Sequence, residues 1–346
     1  MRAPRAVRRT LVVYNPTAGR RRQAALLAEL VPRLEAGGVS VEPVATESPG
    51  HGTAIARRAA AEGYDAVLVL GGDGTVREVA AGLMREDGPG AVPRPPAARE
   101  PSPAAAARRP GPGERPPRPD FAASVPLLGI LPAGTTNVLA HALGLPADPR
   151  AAADLAARLL AEGAPPRRLD VGLAAGKPFL MMASAGFDAF VLERLDPRWK
   201  ARLGRVGIVL TAARELVRYH YPELEIEADG EPVAAGFAAV CNVPYYGGPY
   251  ALAPRACCDD RRLDLVTFAG SGYADTLAFG LALARGTHLA RADVAVRPVD
   301  RVVVRGPSGA AVQIDGDPCG AEVPVTIELA PDPLAVLAPS ASLGPR

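Results

Sequence analysis

The sequence predicts an α/β protein in two parts: an N-terminal, doubly wound parallel sheet and a C-terminal, mostly antiparallel β-sandwich. Three observations predict it. Short apolar runs alternate with helix-like stretches through the first 150 residues, strand-like runs dominate beyond Pro165-Pro166, and glycine-rich turns follow two early strands. At 346 residues the chain is long enough for two domains.

Thr10–Tyr14 reads as the first strand, followed by a helix over Arg20–Leu34 with Leu26, Leu27, Leu30, Val31 and Leu34 on one side. Val39–Ala45 and Ala66–Leu70 are strands flanking a helix over Thr53–Ala61. A helix over Val76–Met84, a strand over Leu127–Leu131, a helix starting near Asn137 and a helix over Ala151–Ala161 complete this part. Repeated β-α units imply a parallel sheet covered on both faces, with ligands at the carboxyl ends of its strands. Between Asp87 and Ala123 a run of prolines with few large apolar residues reads as a disordered insertion.

Beyond it, strands are expected at Arg168–Leu173, Pro178–Ala183, Glu223–Ala228, Gly236–Asn242, Leu263–Phe268, Asp293–Pro298, Arg301–Arg305 and Ala311–Ile314. Helices over Phe187–Leu195, Leu203–Tyr219 and Tyr273–Ala284 interrupt them. The apolar segment Val323–Leu329 is expected to return to the first domain as an added strand. The expected division is therefore 1–150, 151–320 and a C-terminal segment 321–346.

Net charge is +2, so no global field draws the chain to nucleic acid. No apolar stretch approaches the roughly 20 residues that span a bilayer, and the basic N-terminus leads into a strand rather than a signal sequence. Cys241, Cys257, Cys258 and Cys319 lack C-x-x-C spacing and read as thiols in a reducing cytoplasm. The four histidines show no ligand spacing.

The most informative stretch is Gly71-Gly72-Asp73-Gly74-Thr75, between a buried strand and the helix that begins Val76-Arg77. Glycines let backbone approach a polyphosphate, and Thr75 can cap a helix whose N-terminus favours anions. A carboxylate there, Asp73, makes sense with Mg²⁺ or a sugar hydroxyl between it and the phosphates. Gly134-Thr135-Thr136-Asn137 repeats the logic after the next strand, and Asn15-Pro16-Thr17-Ala18-Gly19 with Arg20–Arg22 forms a third wall. Asp315-Gly316-Asp317 follows a strand and, by spacing alone, reads as a solvated turn. The basic segment Asp196–Arg205 with Trp199 reads either as a contact to anionic headgroups or as a helix corner with snorkelling arginines.

Taken in order, Asn15-Pro16-x-x-Gly19, Gly71–Thr75, Gly134-Thr135-x-Asn137 and Asp315-Gly316-Asp317 resemble the diacylglycerol kinase catalytic-domain family, the soluble bacterial lipid kinases that are also similar to sphingosine kinases. The resemblance implies a phosphofructokinase- or NAD-kinase-like first domain that binds ATP through Asn15, Thr46, Gly71, Gly72, Asp73, Gly74, Thr75, Val76, Arg77, Gly134, Thr135 and Asn137. It places the catalytic base at Asp315 foremost, with Asp317 beside it. It implies a structural Mg²⁺ held by the Asp260 carboxylate and the carbonyls of Cys257 and Arg262.

The implied reaction is transfer of the γ-phosphoryl of ATP to the hydroxyl of a lipid such as diacylglycerol, by a cytoplasmic enzyme meeting its substrate at the inner membrane surface. A homodimer is compatible with it. Three departures matter: Asp317 stands where glutamate is frequent, Val138 where aspartate follows the asparagine, and Arg261 where glycine is usual. Arg261 is strained if its turn needs positive φ. Asp170 is either a strand-edge charge or a member of the acidic network near Asp73. An NAD kinase, which shares Gly71–Thr75, predicts Asn-Glu after that turn, where Arg77-Glu78 stands. A catalytically silent nucleotide-binding protein is the third reading.

Overall fold

A computed structural model describes residues 8–16, 20–84, 125–196, 204–307 and 310–339. The Asp87–Ala123 insertion, the Thr17–Gly19 part of the first turn, the side chains of Arg20–Arg22 and the Trp199 segment lie outside the described residues.

Four strands, β1 (Arg8–Tyr14), β2 (Val39–Ala45), β3 (Ala66–Gly71) and β4 (Leu127–Pro132), run parallel in the order β2-β1-β3-β4. Side chains alternate across a strand, so Leu11, Val13, Val67 and Val69 face one side while Val12, Leu68 and Leu70 face the other, and all are fully buried. Helices α2 (His51–Ala61) and α3 (Asp73–Leu83) cover the first face. Helices α1 (Arg20–Ala36) and α5 (Pro149–Glu162) cover the second, and the short α4 (Val138–Ala142) lies between β4 and α5 in sequence. Helix α5 starts two residues before the expected Ala151 because Asp148 caps it, accepting from the Arg150 amide, with Pro149 at its first position. Its packing against α1 carries the elements of this first layer past residue 150.

The expected strand Arg168–Leu173 is in fact two. Strand β5 (Arg167–Leu169) ends the first sheet and β6 (Gly172–Ala174) belongs to another, so the chain changes layers at Asp170-Val171. Pro178–Ala183 likewise divides into β7 (Lys177–Phe179) and β8 (Met182–Ala185), on opposite sheets.

The sandwich is built from β10-β9-β16-β19-β6-β7 facing β15-β14-β11-β8-β17-β18, with antiparallel neighbours throughout. Its strands are β9 (Leu224–Ala228), β10 (Glu231–Ala235), β11 (Phe237–Cys241), β14 (Leu263–Phe268), β15 (Val294–Val299), β16 (Arg301–Arg305), β17 (Ala311–Ile314), β18 (Asp317–Glu322) and β19 (Val325–Leu329). Phe179, Ile226, Val304 and Ile327 from one sheet meet Val240, Leu265 and Val312 from the other in a single core. A small hairpin, β12 (Tyr245–Tyr246) with β13 (Tyr250–Ala251), and helices α6 (Phe187–Arg194), α7 (Arg205–Glu215) and α8 (Gly272–Ala284) complete the described elements named here.

The segment Val323–Leu329 does not return to the first sheet. It supplies β19, whose Val325 and Ile327 are buried while Glu328 is exposed, the alternation of a strand with one wet face. The strand that returns is β20 (Leu334–Val336), buried throughout, inserted between β4 and β5.

Arg261 secures the crossover. Asp170 is fully buried, and its carboxylate accepts from the Arg261 amide at 2.6 Å and from Arg261 Nη1 at 3.3 Å. Arg261 Nη2 donates to the carbonyls of Ala330 and Pro331, both at 2.9 Å, so one guanidinium ties the outgoing crossover at Asp170 to the returning one before β20. Arg261 stands at φ +63°, the conformation its place in the sequence demands. Burial pushes Asp170 up to about 6, opposed by the Arg261 amide and charge. The folded state thus holds this proton more tightly than the unfolded chain. Its contribution is full below the ordinary carboxyl value of 3.8 and is lost as pH rises through about 6. Without the Arg261 guanidinium the ionised carboxylate loses its ion pair and keeps the residue-261 amide and the charge of Arg168. The stability deficit of Arg261→Ala should therefore grow from about pH 5 to about pH 8, reaching about 3 kcal/mol in urea unfolding. A deficit independent of pH would contradict the pairing.

Candidate functional site

The two glycine turns meet backbone to backbone. A Cβ on Gly134 would lie 2.5 Å from the Gly72 Cα, a separation that only glycine permits. Helix α3 begins at Asp73 rather than Val76, with Gly72 as its extended N-cap, so Gly74 and Thr75 form the first helical turn. Thr75 is therefore not the cap. Its side chain folds over Gly71, where a Cβ would come within 3.1 Å. Asn137, at φ +46°, closes the second turn by accepting from the Gly134 amide at 2.9 Å and donating to its carbonyl at 3.0 Å.

Asp73 joins these turns. Its carboxylate accepts from the amides of Val138 at 3.0 Å and Leu139 at 3.2 Å, and from Thr136 Oγ1 at 3.1 Å. It thus caps α4 from another segment, and both oxygens are engaged. Val138 contributes to this network through its amide, which explains how the turn holds together without an aspartate there.

The acidic turn reaches the same place from the far end of the chain. Arg77 Nη1 donates to the Ile314 carbonyl at 2.7 Å, and Arg77 Nη2 pairs with Asp317 Oδ2 at 3.2 Å. Arg77 therefore fastens α3 to the β17–β18 hairpin. Asp315 and Gly316, at φ +52° and +82°, form its turn. The Asp315 carboxylate accepts from the amides of Leu180 at 2.9 Å, Met181 at 2.8 Å and Met182 at 3.1 Å, filling the gap between β7 and β8. Burial pushes it up to about 6, against those amides and the Arg77 charge. Asp317 is half-buried, and its Oδ2 lies 3.6 Å from where a Cβ on Gly74 would stand.

All three turns line one cavity of about 460 Å³. Gly72, Asp73, Gly74, Thr135, Asp315 and Asp317 form its polar end, while Met181, Met182, Phe187, Val191, Leu192 and Ile208 supply apolar walls. Val76, the following residue of α3, is buried in the core. The Asn15 and Thr46 positions lie at the carboxyl ends of β1 and β2. Thr46 is buried, with its amide bonded to the Tyr14 carbonyl at 2.8 Å. Neither residue lines the cavity.

A polar cluster on the cavity wall was not read from the sequence. Asp188 accepts from Ser184 Oγ at 2.5 Å, Tyr246 Oη at 3.2 Å and its neighbour's amide, Ala189 N, at 2.7 Å. Gln313 Nε2 donates to Ser184 Oγ at 2.6 Å. Burial raises the Asp188 carboxyl. The available signal was Gly186-Phe187-Asp188 after β8, a strand, a glycine and an acid at a helix start, as at Gly72-Asp73.

Cys257, Asp260 and Arg262 lie apart, at the Arg261 turn; Asp260 and Arg262 border a second cavity shared with Asp229 and Asp300. Asp260 Oδ1 accepts from the Arg262 amide at 3.0 Å, and burial pushes its carboxyl up to about 6. One carboxylate and two carbonyls would suit a hard cation, yet Arg261 already brings positive charge to this turn. Among the described residues no three His, Cys, Asp or Glu side chains cluster as metal ligands. Asp170, paired with Arg261, belongs here rather than beside Asp73. All four cysteines are free, and no described helix is long and apolar enough to cross a membrane.

Two substitutions test this geometry. Gly134→Ala should force the two turns apart and cost about 1–3 kcal/mol in urea unfolding. Asp315→Asn turns an amide donor toward one of three backbone donors and should cost about 1–3 kcal/mol in urea unfolding.

Comparison with known proteins follows the same division. Residues 9–165 match the family model described as the diacylglycerol kinase catalytic domain, and residues 181–338 match one described as the YegS C-terminal NAD kinase beta sandwich-like domain. The diacylglycerol kinase of Bacillus subtilis (strain 168) is 26% identical over 314 residues, 90% of each chain. That of Staphylococcus saprophyticus is 25% identical over 313 residues, 90% of this chain and 89% of its own. A crystal structure from Bacillus anthracis str. Sterne, described provisionally as a diacylglycerol kinase, covers 99% of each chain with a TM-score of 0.73 at 22% identity, a likeness of fold. With both halves matched in order, residues 9–165 belong to the diacylglycerol kinase catalytic-domain family and residues 181–338 to the YegS-type C-terminal sandwich that follows it.

Proposed function

We propose that this protein is an ATP-dependent lipid kinase that transfers the γ-phosphoryl group to the hydroxyl of diacylglycerol or a related lipid alcohol. The observation that carries this reading is the cavity itself. Its polar end is made of two glycine turns and the carboxylates of Asp73, Asp315 and Asp317, and beyond the Asp188–Gln313 cluster its walls are mostly apolar. The amides at the start of α3 offer donors to the phosphates, and the contact of Gly72 with Gly134 keeps side chains from blocking their approach. Asn15, Thr46 and Thr135 would border the nucleotide from the neighbouring strand ends.

The two acids divide the work. Asp317, which faces Gly74, would take the proton of the acceptor hydroxyl as it attacks phosphorus in line, while Arg77 holds its carboxylate. Asp315, bonded to three amides, sets the position of Met181 and Met182 against the acceptor. A divalent ion, Mg²⁺ by its usual partnership with ATP, would arrive on the phosphates and neutralise them. The Cys257–Arg262 turn would hold a separate structural ion through the Asp260 carboxylate, outside the chemistry.

Purified protein incubated with labelled ATP and Mg²⁺ should phosphorylate diacylglycerol in mixed vesicles; parallel arms with a sphingoid base and with NAD define the acceptor. Label in NAD and none in any lipid would overturn the reading. Asp317→Asn should lower kcat by about 10²–10⁴ with an unchanged Tm, whereas Asp315→Asn loses stability as well as turnover. Full turnover by Asp317→Asn would remove that carboxylate from the reaction.

A further inference from the structure

Ten large hydrophobic side chains among the described residues are strongly exposed, and nine of them cluster on one part of the molecule. They lie on α7 and the turn after it, on β13, and on α8 and the turn after it. Val206, Val209 and Leu210 form an outward stripe on α7, and Tyr273, Leu277 and Leu281 form another on α8. The inward sides of both helices are already occupied. Thr211 and Glu215 are buried beneath α7, and Phe279 of α8 stacks on Phe268 at 4.6 Å between ring centroids. The outward stripes therefore have no partner within the described residues.

These elements adjoin one another at the cavity. Val209 of α7 and Tyr250 of β13 both line it, and α8 packs on β13. The apolar surface is thus continuous with the apolar interior of the cavity. Its charge is also one-sided at α7. The helix's Glu215 is buried and covered by the exposed Arg214 and Arg218, which leave positive charge outermost.

We infer that the α7–β13–α8 face docks on the surface of a lipid bilayer, seating the cavity mouth against the membrane so that the acceptor passes from one apolar phase to another without crossing water. The inference rests on the lipid-kinase reading and deepens it by naming the partner surface. Aliphatic stripes with tyrosines and arginines at their margin match an interfacial layer, where hydrocarbon lies below and anionic headgroups beside. Patches of this kind mark interaction sites. A protein partner seated here would cover the cavity mouth, whereas a bilayer supplies what the cavity takes.

The test uses the full chain and a variant outside the cavity lining, Leu210→Gln/Leu277→Gln/Leu281→Gln, whose thermal unfolding should match the wild type. In co-sedimentation with phosphatidylcholine–phosphatidylglycerol vesicles, the wild type should bind and the variant should bind at least tenfold more weakly. Turnover of dioctanoylglycerol below its aggregation limit should stay within twofold. Equal vesicle binding by the two proteins would overturn the inference. So would sedimentation velocity showing a wild-type dimer that the variant dissolves, since a second copy would then own this face. Vesicle binding needs no catalysis. Binding without any phosphorylated lipid would sink the kinase reading and leave the docking face standing, and turnover of dioctanoylglycerol without vesicle binding would do the reverse.

Discussion

The cleft depends on acidic side chains that bond backbone amides far away in sequence. Asp73 takes two amides 65 and 66 residues on, and Asp315 takes three amides from the β7–β8 link, 133 to 135 residues before it. A carboxylate can accept several donors at once, and charge-assisted bonds of this kind are among the stronger ones available to a fold. Each acid therefore acts as a hub, fixing a turn that has no regular hydrogen-bond ladder of its own. Arg77 completes the frame by holding the Asp315–Asp317 hairpin to the first helix of the glycine turn. Remove these links and the two halves still have cores, but the glycine turns lose their direct ties to the acids.

Much of the fold was legible because its strands are strongly patterned. Val39–Ala45, Leu263–Phe268, Arg301–Arg305 and Ala311–Ile314 begin and end at the residues expected of them. The crossovers at Asp170-Val171 and Leu180-Met181 were illegible for the complementary reason. Residues on both sides of each bend are buried, and at Leu180-Met181 the apolar run continues through it, so periodicity holds no mark of the change of sheet. Strand β10 did carry a mark, the dipeptide Asp229-Gly230, with both residues at positive φ in a tight hairpin.

The site was legible as a set of turns and less so as a set of roles. Glycine spacing identified Gly71–Thr75 and Gly134–Asn137, the family resemblance identified Asp315–Asp317, and these do come together. What each side chain bonds could not be read, because the partners of Asp73 and Asp315 are main-chain amides, which every residue but proline possesses. Asp188 escaped because its partners, Ser184, Tyr246 and Gln313, are spread over 130 residues. Arg261 was legible as an oddity in a glycine position, while its use as a tie between two crossovers emerges only from the packing.

Strand β20 places a strand from the end of the chain inside the sheet that the chain begins with, between β4 and β5. During synthesis the first half must therefore leave the ribosome with its sheet incomplete, an open hydrogen-bonding edge on β4 awaiting Leu334–Val336. The parallel sheet cannot be completed ahead of the sandwich, because the polypeptide must travel through the whole sandwich before β20 can close it. The cleft, which takes Asp315–Asp317 from the sandwich, likewise waits for the later half of the chain.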